Sequence, residues 1–149
     1  MVILLFGISN VGKSIMGQIL AEKLGVVYYN LDDEIKALYQ ITLEEFVHTG
    51  TLMERDRKRG KLIGQLIKKR ENSVIAITPM SYPEYFNIHL KKDNVFAIEV
   101  FDHPQHIFDR LVFSDENDGI YKDDEYKNAR KDYYMREIIE DLQSMFIKE

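Results

Sequence analysis

Short apolar runs alternate along the chain with segments in which apolar residues recur every three or four positions. Met1 to Phe6 is a continuous apolar run closed by Gly7, the pattern of a strand buried on both faces. From Ser14 to Leu24, Ile15, Ile19, Leu20 and Leu24 fall at helical spacing before Gly25, a helix C-terminal signal, which predicts a helix. Val26 to Tyr29 reads as a second strand and Asp32 to Tyr39 as a helix, while Thr42 with Glu45 forms a capping-box signal for another. Thr51 to Arg70 predicts a long helix with Leu62, Ile63, Leu66 and Ile67 on one face and most of its Lys and Arg on a solvated one. Val74 to Ile77 and Val95 to Val100 complete the strands, with a short helix over 82–90 between them. Asp102 and Gln105 flank Pro104 at the start of a helix reaching about Phe113. Residues 114–128 have almost no apolar periodicity and predict a mobile loop; a last helix over 129–147 carries Ile138, Ile139, Leu142, Met145 and Phe146 on one face. Alternating strands and helices predict a three-layer α/β fold, with a parallel sheet of about four strands flanked by helices. No repeat or linker interrupts the pattern, so residues 1–149 are expected to form a single domain.

Composition narrows the function classes. A chain of 149 residues buries about two-thirds of its unfolded surface. With 20 basic and 25 acidic residues the net charge is −5, which argues against general nucleic-acid binding. The absence of cysteine excludes disulfides, thiol catalysis and Cys-containing zinc sites, and fits a reducing compartment. The apolar run at the start is far short of a membrane span and lacks the basic leader of a signal peptide, so a cytoplasmic protein without membrane contact is expected. A monomer is favoured, with the oligomeric state otherwise open.

The first strand runs directly into Gly7-Ile8-Ser9-Asn10-Val11-Gly12-Lys13-Ser14, a full match to the phosphate-binding pattern G-x-x-x-x-G-K-[ST]. A chance match in a chain of this length arises about once in two hundred sequences. The glycines let backbone N–H groups turn toward phosphate oxygens, and the following helix adds its N-terminal partial charge. Gly7, Asn10, Val11, Gly12, Lys13 and Ser14 are therefore the candidate ATP-binding residues, with Lys13 reaching the β- and γ-phosphates and the Ser14 hydroxyl on Mg²⁺. No D-x-x-G or N-K-x-D string occurs, which sets a GTPase aside. Asp102 ends an apolar strand as a Walker B acid would, although its spacing to Gln105 is explained more simply by helix capping. A small phosphotransferase that moves the ATP γ-phosphoryl to a small molecule remains.

The stretch GISNVGKSIMGQILAEKLGVVYYNLDDEIK resembles the opening of the shikimate kinase family, in which loop and helix lead to a strand ending in Asp-x-Asp. The matching positions here are Asn30 and Asp32. The resemblance implies that Asp32 binds the acceptor hydroxyl and serves as catalytic base alongside Lys13, whereas Asn30 brings no charge to the metal. Glu54-Arg55 stands where the family has its Phe-Arg pair, which implies that Arg55 grips the acceptor carboxylate. Arg130 with Tyr134 is similar to the family's Arg-x-x-x-Tyr segment and implies a second substrate contact, and Arg110 holds a position where the family often has an arginine near the nucleotide.

Three departures accompany that resemblance. Thr78-Pro79-Met80-Ser81 replaces the family's glycine run, so that Pro79 offers no N–H and Met80 is expected to add bulk where the acceptor ring would lie. The lid-like loop at about 114–128 holds six acids and two bases, and so carries nearly all of the net charge. The family also continues past its Arg-x-x-x-Tyr helix into a further strand and helix. The expected function is an ATP- and Mg²⁺-dependent kinase for a hydroxyl of a small anionic acceptor. The alternatives are a nucleotide-binding protein of this fold that has lost the reaction and serves a regulatory role, or a kinase for a different acceptor.

Overall fold

The computed structural model describes residues 1–143. The four expected strands form as β1 (Val2–Phe6), β2 (Val27–Asn30), β3 (Ser73–Ala76) and β4 (Val95–Glu99). They make one parallel sheet in the order β2-β3-β1-β4, which places the apolar β1 in the interior. Because side chains alternate along a strand, Val2, Leu4 and Phe6 face one side and Ile3 and Leu5 the other. The first set meets Leu31 and Ile35 of α2 (Leu31–Tyr39), Phe46 of α3 (Leu43–Val47), Ile63 of α4 (Leu52–Lys68) and Phe86 of α5 (Glu84–Leu90). Fully burying such a side chain contributes about 1.5–3 kcal/mol, so this layer is the main core. Ile3 and Leu5 pack with Val74 and with Ala21 of α1 (Lys13–Leu24).

The capping box at Thr42 and Glu45 forms as expected, and Thr51 with Glu54 makes a second at the start of α4. The packing face of α1 differs from its apolar pattern. This helix buries Gly17 and Ala21, whereas Ile15, Ile19 and Leu24 are exposed. Close approach decides this: a Cβ at Gly17 would lie 2.6 Å from the Tyr28 ring, so only the small-residue face fits against the sheet.

Two local expectations also change near the end of the chain. Asp102 and Gln105 do not cap: Asp102 accepts from the His103 N–H and from His106, while Gln105 donates to Asp109. The helix there, α6 (Pro104–Arg110), ends before Phe113, which lies in a strand. Residues 114–128 are structured, with a hairpin of β5 (Phe113–Ser114) and β6 (Ile120–Tyr121) followed by α7 (Asp124–Ala129). Their order comes from polar side chains rather than apolar periodicity. Asp115 accepts from the N–H groups of Asn117 and Gly119, and Asp123 caps α7 through the Tyr126 N–H. Lys127 is buried, with its ammonium on the carbonyls of Phe108 and Asp109 at the end of α6. The last helix, α8 (Lys131–Gln143), buries Ile138 against α6 but leaves Ile139 exposed; Met145 and Phe146 lie outside the described residues.

Candidate active site

The C-terminal ends of β1, β2 and β3 open into a cavity of about 460 Å³, the place where parallel α/β sheets bind ligands. Ser9, Asn10, Gly12, Lys13 and Ser14 line one wall and Asp32, Thr78 and Pro79 another. Arg110 and Ile120 also border it.

The loop after β1 is fixed by its own side chains. Ile8 and Val11 are buried with Ile107, Phe108 and Ile138, so the apolar positions of the motif anchor the loop while its polar positions face the cavity. Gly7 is required where it stands, since a Cβ there would lie 2.6 Å from the Val100 carbonyl oxygen. Gly12 has φ 104°, a left-handed conformation that admits glycine readily, and it precedes the first turn of α1. The Lys13 ammonium donates to the carbonyls of Gly7 (2.7 Å) and Ile8 (2.6 Å). Burial pushes its pKa down to about 8, against a smaller opposite effect of the Asp32 carboxylate.

Asn30 ends β2 and works in two directions. Its Oδ1 accepts the N–H groups of Asp32 and Asp33 at the start of α2, and its Nδ2 donates to the Ser14 hydroxyl at 3.0 Å. It is therefore both a helix cap and a link between the first turn of α1 and the end of β2. Asp32 projects into the cavity, where its Oδ1 accepts the Thr78 hydroxyl at 2.5 Å. Thr78 follows β3 and was not apparent from the motif alone. Its position just past the end of a parallel strand was the available signal.

Arg110 reaches the phosphate loop from α6. Its guanidinium donates to the carbonyls of Asn10 and Val11 and pairs with Asp102 at 2.8 Å. His106, Arg110 and the His103 N–H hold the Asp102 carboxyl well below the usual carboxylate range. Asp102 thus orients an arginine.

Arg55 and Arg130 are not among the residues lining the cavity. Arg55 Nη1 donates to the carbonyls of Thr49 and Gly50, while its buried Nε has no partner. Arg130 stacks on Tyr126, with its guanidinium 3.7 Å from the ring centre, and donates to the Tyr126 carbonyl. Met80 also departs from expectation: it is buried in the main core, so the bulk next to the cavity comes from Thr78 and Pro79. The turn that carries these residues is pinned by Asp56, a fully buried acid paired with Arg59. Asp56 accepts the N–H groups of Ser81 and Tyr82 at 2.8 and 2.9 Å. The spacing of apolar residues along α4 gave no sign of this buried pair, whose acid serves the turn's need for an acceptor.

The donors around the cavity fit a magnesium nucleotide. Ser14 is exposed to it, and hydroxyl, phosphate and water oxygens are the hard ligands that Mg²⁺ takes. Among the described residues no helix is long and apolar enough to cross a membrane.

Comparison with known proteins agrees with this geometry. The shikimate kinase family model matches residues 9–149. The crystal structure of shikimate kinase from Bacteroides thetaiotaomicron superposes with a TM-score of 0.73 at 24% identity, covering 96% of this chain and 77% of its own. That from Aquifex aeolicus gives 0.62 at 20% identity over 93% and 81% of the two chains. The Acinetobacter baumannii enzyme, in complex with shikimate, gives 0.57 at 19% over 92% and 79%. No curated protein matches the chain. The motif, the parallel sheet order and the family match together make this chain a member of the shikimate kinase family, ATP-dependent phosphotransferases that act on a hydroxyl group.

Proposed function

We propose that the cavity binds Mg·ATP on the loop from Gly7 to Ser14 and a small hydroxylated carboxylate beside Asp32, with shikimate as the first candidate acceptor. The observation that carries this reading is the convergence of Lys13, Ser14, Asp32 and Thr78 on one cleft at the strand ends. Lys13 would leave the carbonyls of Gly7 and Ile8 for the β- and γ-phosphates, placing its positive charge where negative charge gathers in the transition state. The loop N–H groups share that task. Ser14 would hold Mg²⁺ together with phosphate oxygens, and the metal would neutralise phosphate charge. Thr78 fixes one oxygen of Asp32, which leaves Oδ2 to accept the acceptor hydroxyl's proton. Arg110 stands beside the loop on the nucleotide side.

Arg55 is assigned to the acceptor carboxylate, a role supported by its unsatisfied Nε, and Arg130 to a second contact with the same group. Both lie outside the cavity lining, so the acceptor assignment rests on Asp32 and the family. A cytoplasmic location, where ATP is abundant, completes the proposal.

The test is an ATP-consumption assay with shikimate, then with a panel of hydroxylated carboxylic acids and nucleoside monophosphates. Turnover on one acceptor, abolished in Lys13→Ala, is expected. ATP binding without turnover on any acceptor would instead indicate a regulatory nucleotide-binding protein.

A further inference from the structure

Helices α4 and α5 enclose a second groove, of about 370 Å³, which shares no lining residue with the cavity at the strand ends. That volume is in the range of small-molecule sites. Its cations form a row. Arg57, Lys61 and Lys68 stand at i, i+4 and i+11 on α4, within a narrow arc of one helix face and about 16 Å from end to end. Lys92, just past α5, fills the gap between the last two: its ammonium lies 3.9 Å from where a Cβ at Gly64 would stand.

Nothing in the groove neutralises this row. No acid among the described residues lines it, and Arg57, Lys61 and Lys68 make no hydrogen bond or ion pair among those residues. Like charges four apart on a helix repel, a cost that a bound anion would remove. The row is the more pronounced in a chain whose net charge is −5.

His89 sets Lys92 in place. It is 3% exposed, and burial holds its pKa below the ordinary value. An ammonium only donates, so His89 Nδ1 accepts from Lys92 at 2.9 Å and the Nε2–H donates to the Gly60 carbonyl at 2.7 Å. A neutral ring thus orients the ammonium without cancelling its charge, and the site is partly organised before a ligand arrives.

A single small anion would meet one or two of these groups, whereas a linear chain of charges meets all four. Phosphate oxygens suit both the guanidinium fork and the lysine ammonium. On the α5 side Tyr85 and Ile88 offer apolar surface to a part of the ligand beyond its phosphates.

We propose that the α4–α5 groove is a second anion site, which binds the oligophosphate chain of a small molecule through Arg57, Lys61, Lys68 and Lys92. Calorimetric titration of the full chain with inorganic tripolyphosphate tests it, in the Lys13→Ala variant so that the phosphate loop contributes little. One tripolyphosphate per chain is expected. Adding Lys61→Glu/Lys68→Glu should weaken binding roughly tenfold or more with an unchanged far-ultraviolet circular dichroism spectrum. Adding Lys23→Glu/Lys131→Glu, which alters net charge equally, should leave binding as it was. The His89 ring signals in ¹⁵N spectra should shift as the Lys92 ammonium turns to phosphate. Absence of binding in Lys13→Ala, equal losses in the two charge-reversed pairs, or unmoved His89 signals overturn the proposal. ATP without magnesium, as a second titrant, separates the sources of the chain. Tighter binding than tripolyphosphate indicates a nucleotide whose base uses Tyr85 and Ile88, equal or weaker binding an inorganic chain, and either result upholds the site.

Discussion

Lys13 is held by two backbone carbonyls in a half-buried position, and that loss of solvent lowers its pKa to about 8 from the ordinary 10.5. Its charged form binds phosphate, so ATP affinity should be flat below about pH 8 and weaken above it, approaching tenfold per pH unit. Stability runs the other way. Between pH 8 and 10.5 the unfolded chain holds the extra proton, so this group's contribution to stability rises with pH as affinity falls. Calorimetric ATP titrations from neutral to alkaline pH check the first trend, and urea unfolding over the same range checks the second. Thr78 acts on the neighbouring acid. A hydrogen bond to a charged group contributes about 1.5–3 kcal/mol, so Thr78→Val should lower turnover roughly ten- to a hundredfold with little change in ATP affinity. Thr78→Ser should restore it; equal losses in both variants would mean that the hydroxyl does not position Asp32.

Residues 114–128 hold six acids, an electrostatic puzzle at the level of elements because Ile120 of the same segment borders the cavity proposed for phosphate. Four of the six bind backbone N–H groups or a lysine of their own surroundings. Asp115 and Asp123 bind backbone N–H groups within the hairpin and at α7, and Asp124 pairs with Lys127. Asp118, at the hairpin turn, crosses to α3 and accepts the N–H groups of Leu43 and Glu44. A carboxylate at a helix N-terminus gains from both free N–H groups and the helix dipole. Asp118→Ala should therefore detach the hairpin from α3 without unfolding the domain. Amide exchange at Leu43, Glu44 and residues 113–121 should speed by a few-fold to about thirtyfold, corresponding to a cap of about 0.5–2 kcal/mol. Unchanged exchange would show that other contacts hold the hairpin. The Asp56–Arg59 pair does comparable work between α4 and the turn after β3, where it fixes the backbone that presents Thr78 and Pro79.

For the whole molecule, the parallel sheet collects residues far apart in sequence at one end: loop residues after β1, Asp32 after β2 and Thr78 after β3. Ligand binding at such a junction should stabilise the entire domain. Mg·ATP at a hundred times its dissociation constant should contribute about 2.7 kcal/mol, a rise in Tm of several degrees. The same ATP concentration should do far less for Lys13→Ala. Differential scanning calorimetry measures both, and a wild-type Tm indifferent to Mg·ATP would contradict the assignment of the loop.

Sequence alone determined the order of the four sheet strands and the helices between them, the parallel α/β class and the presence of the phosphate-binding motif, but not the hairpin and short helix within 113–129. These are local properties: apolar runs of strand length, helical spacing and glycines at fixed intervals encode them directly. Asp32 and Arg110, singled out through the family resemblance, both line the cavity. Tertiary structure decided what depends on fit between distant segments. It turned the small face of α1 to the sheet instead of the apolar one, because the Tyr28 ring leaves no room for a larger side chain at Gly17. It buried Asp56 and Arg59 and drew Asp118 to α3, because backbone N–H groups in those places had no other acceptor. It also gave Asp32 a threonine partner 46 positions away, a pairing that exists only once β2 and β3 lie side by side.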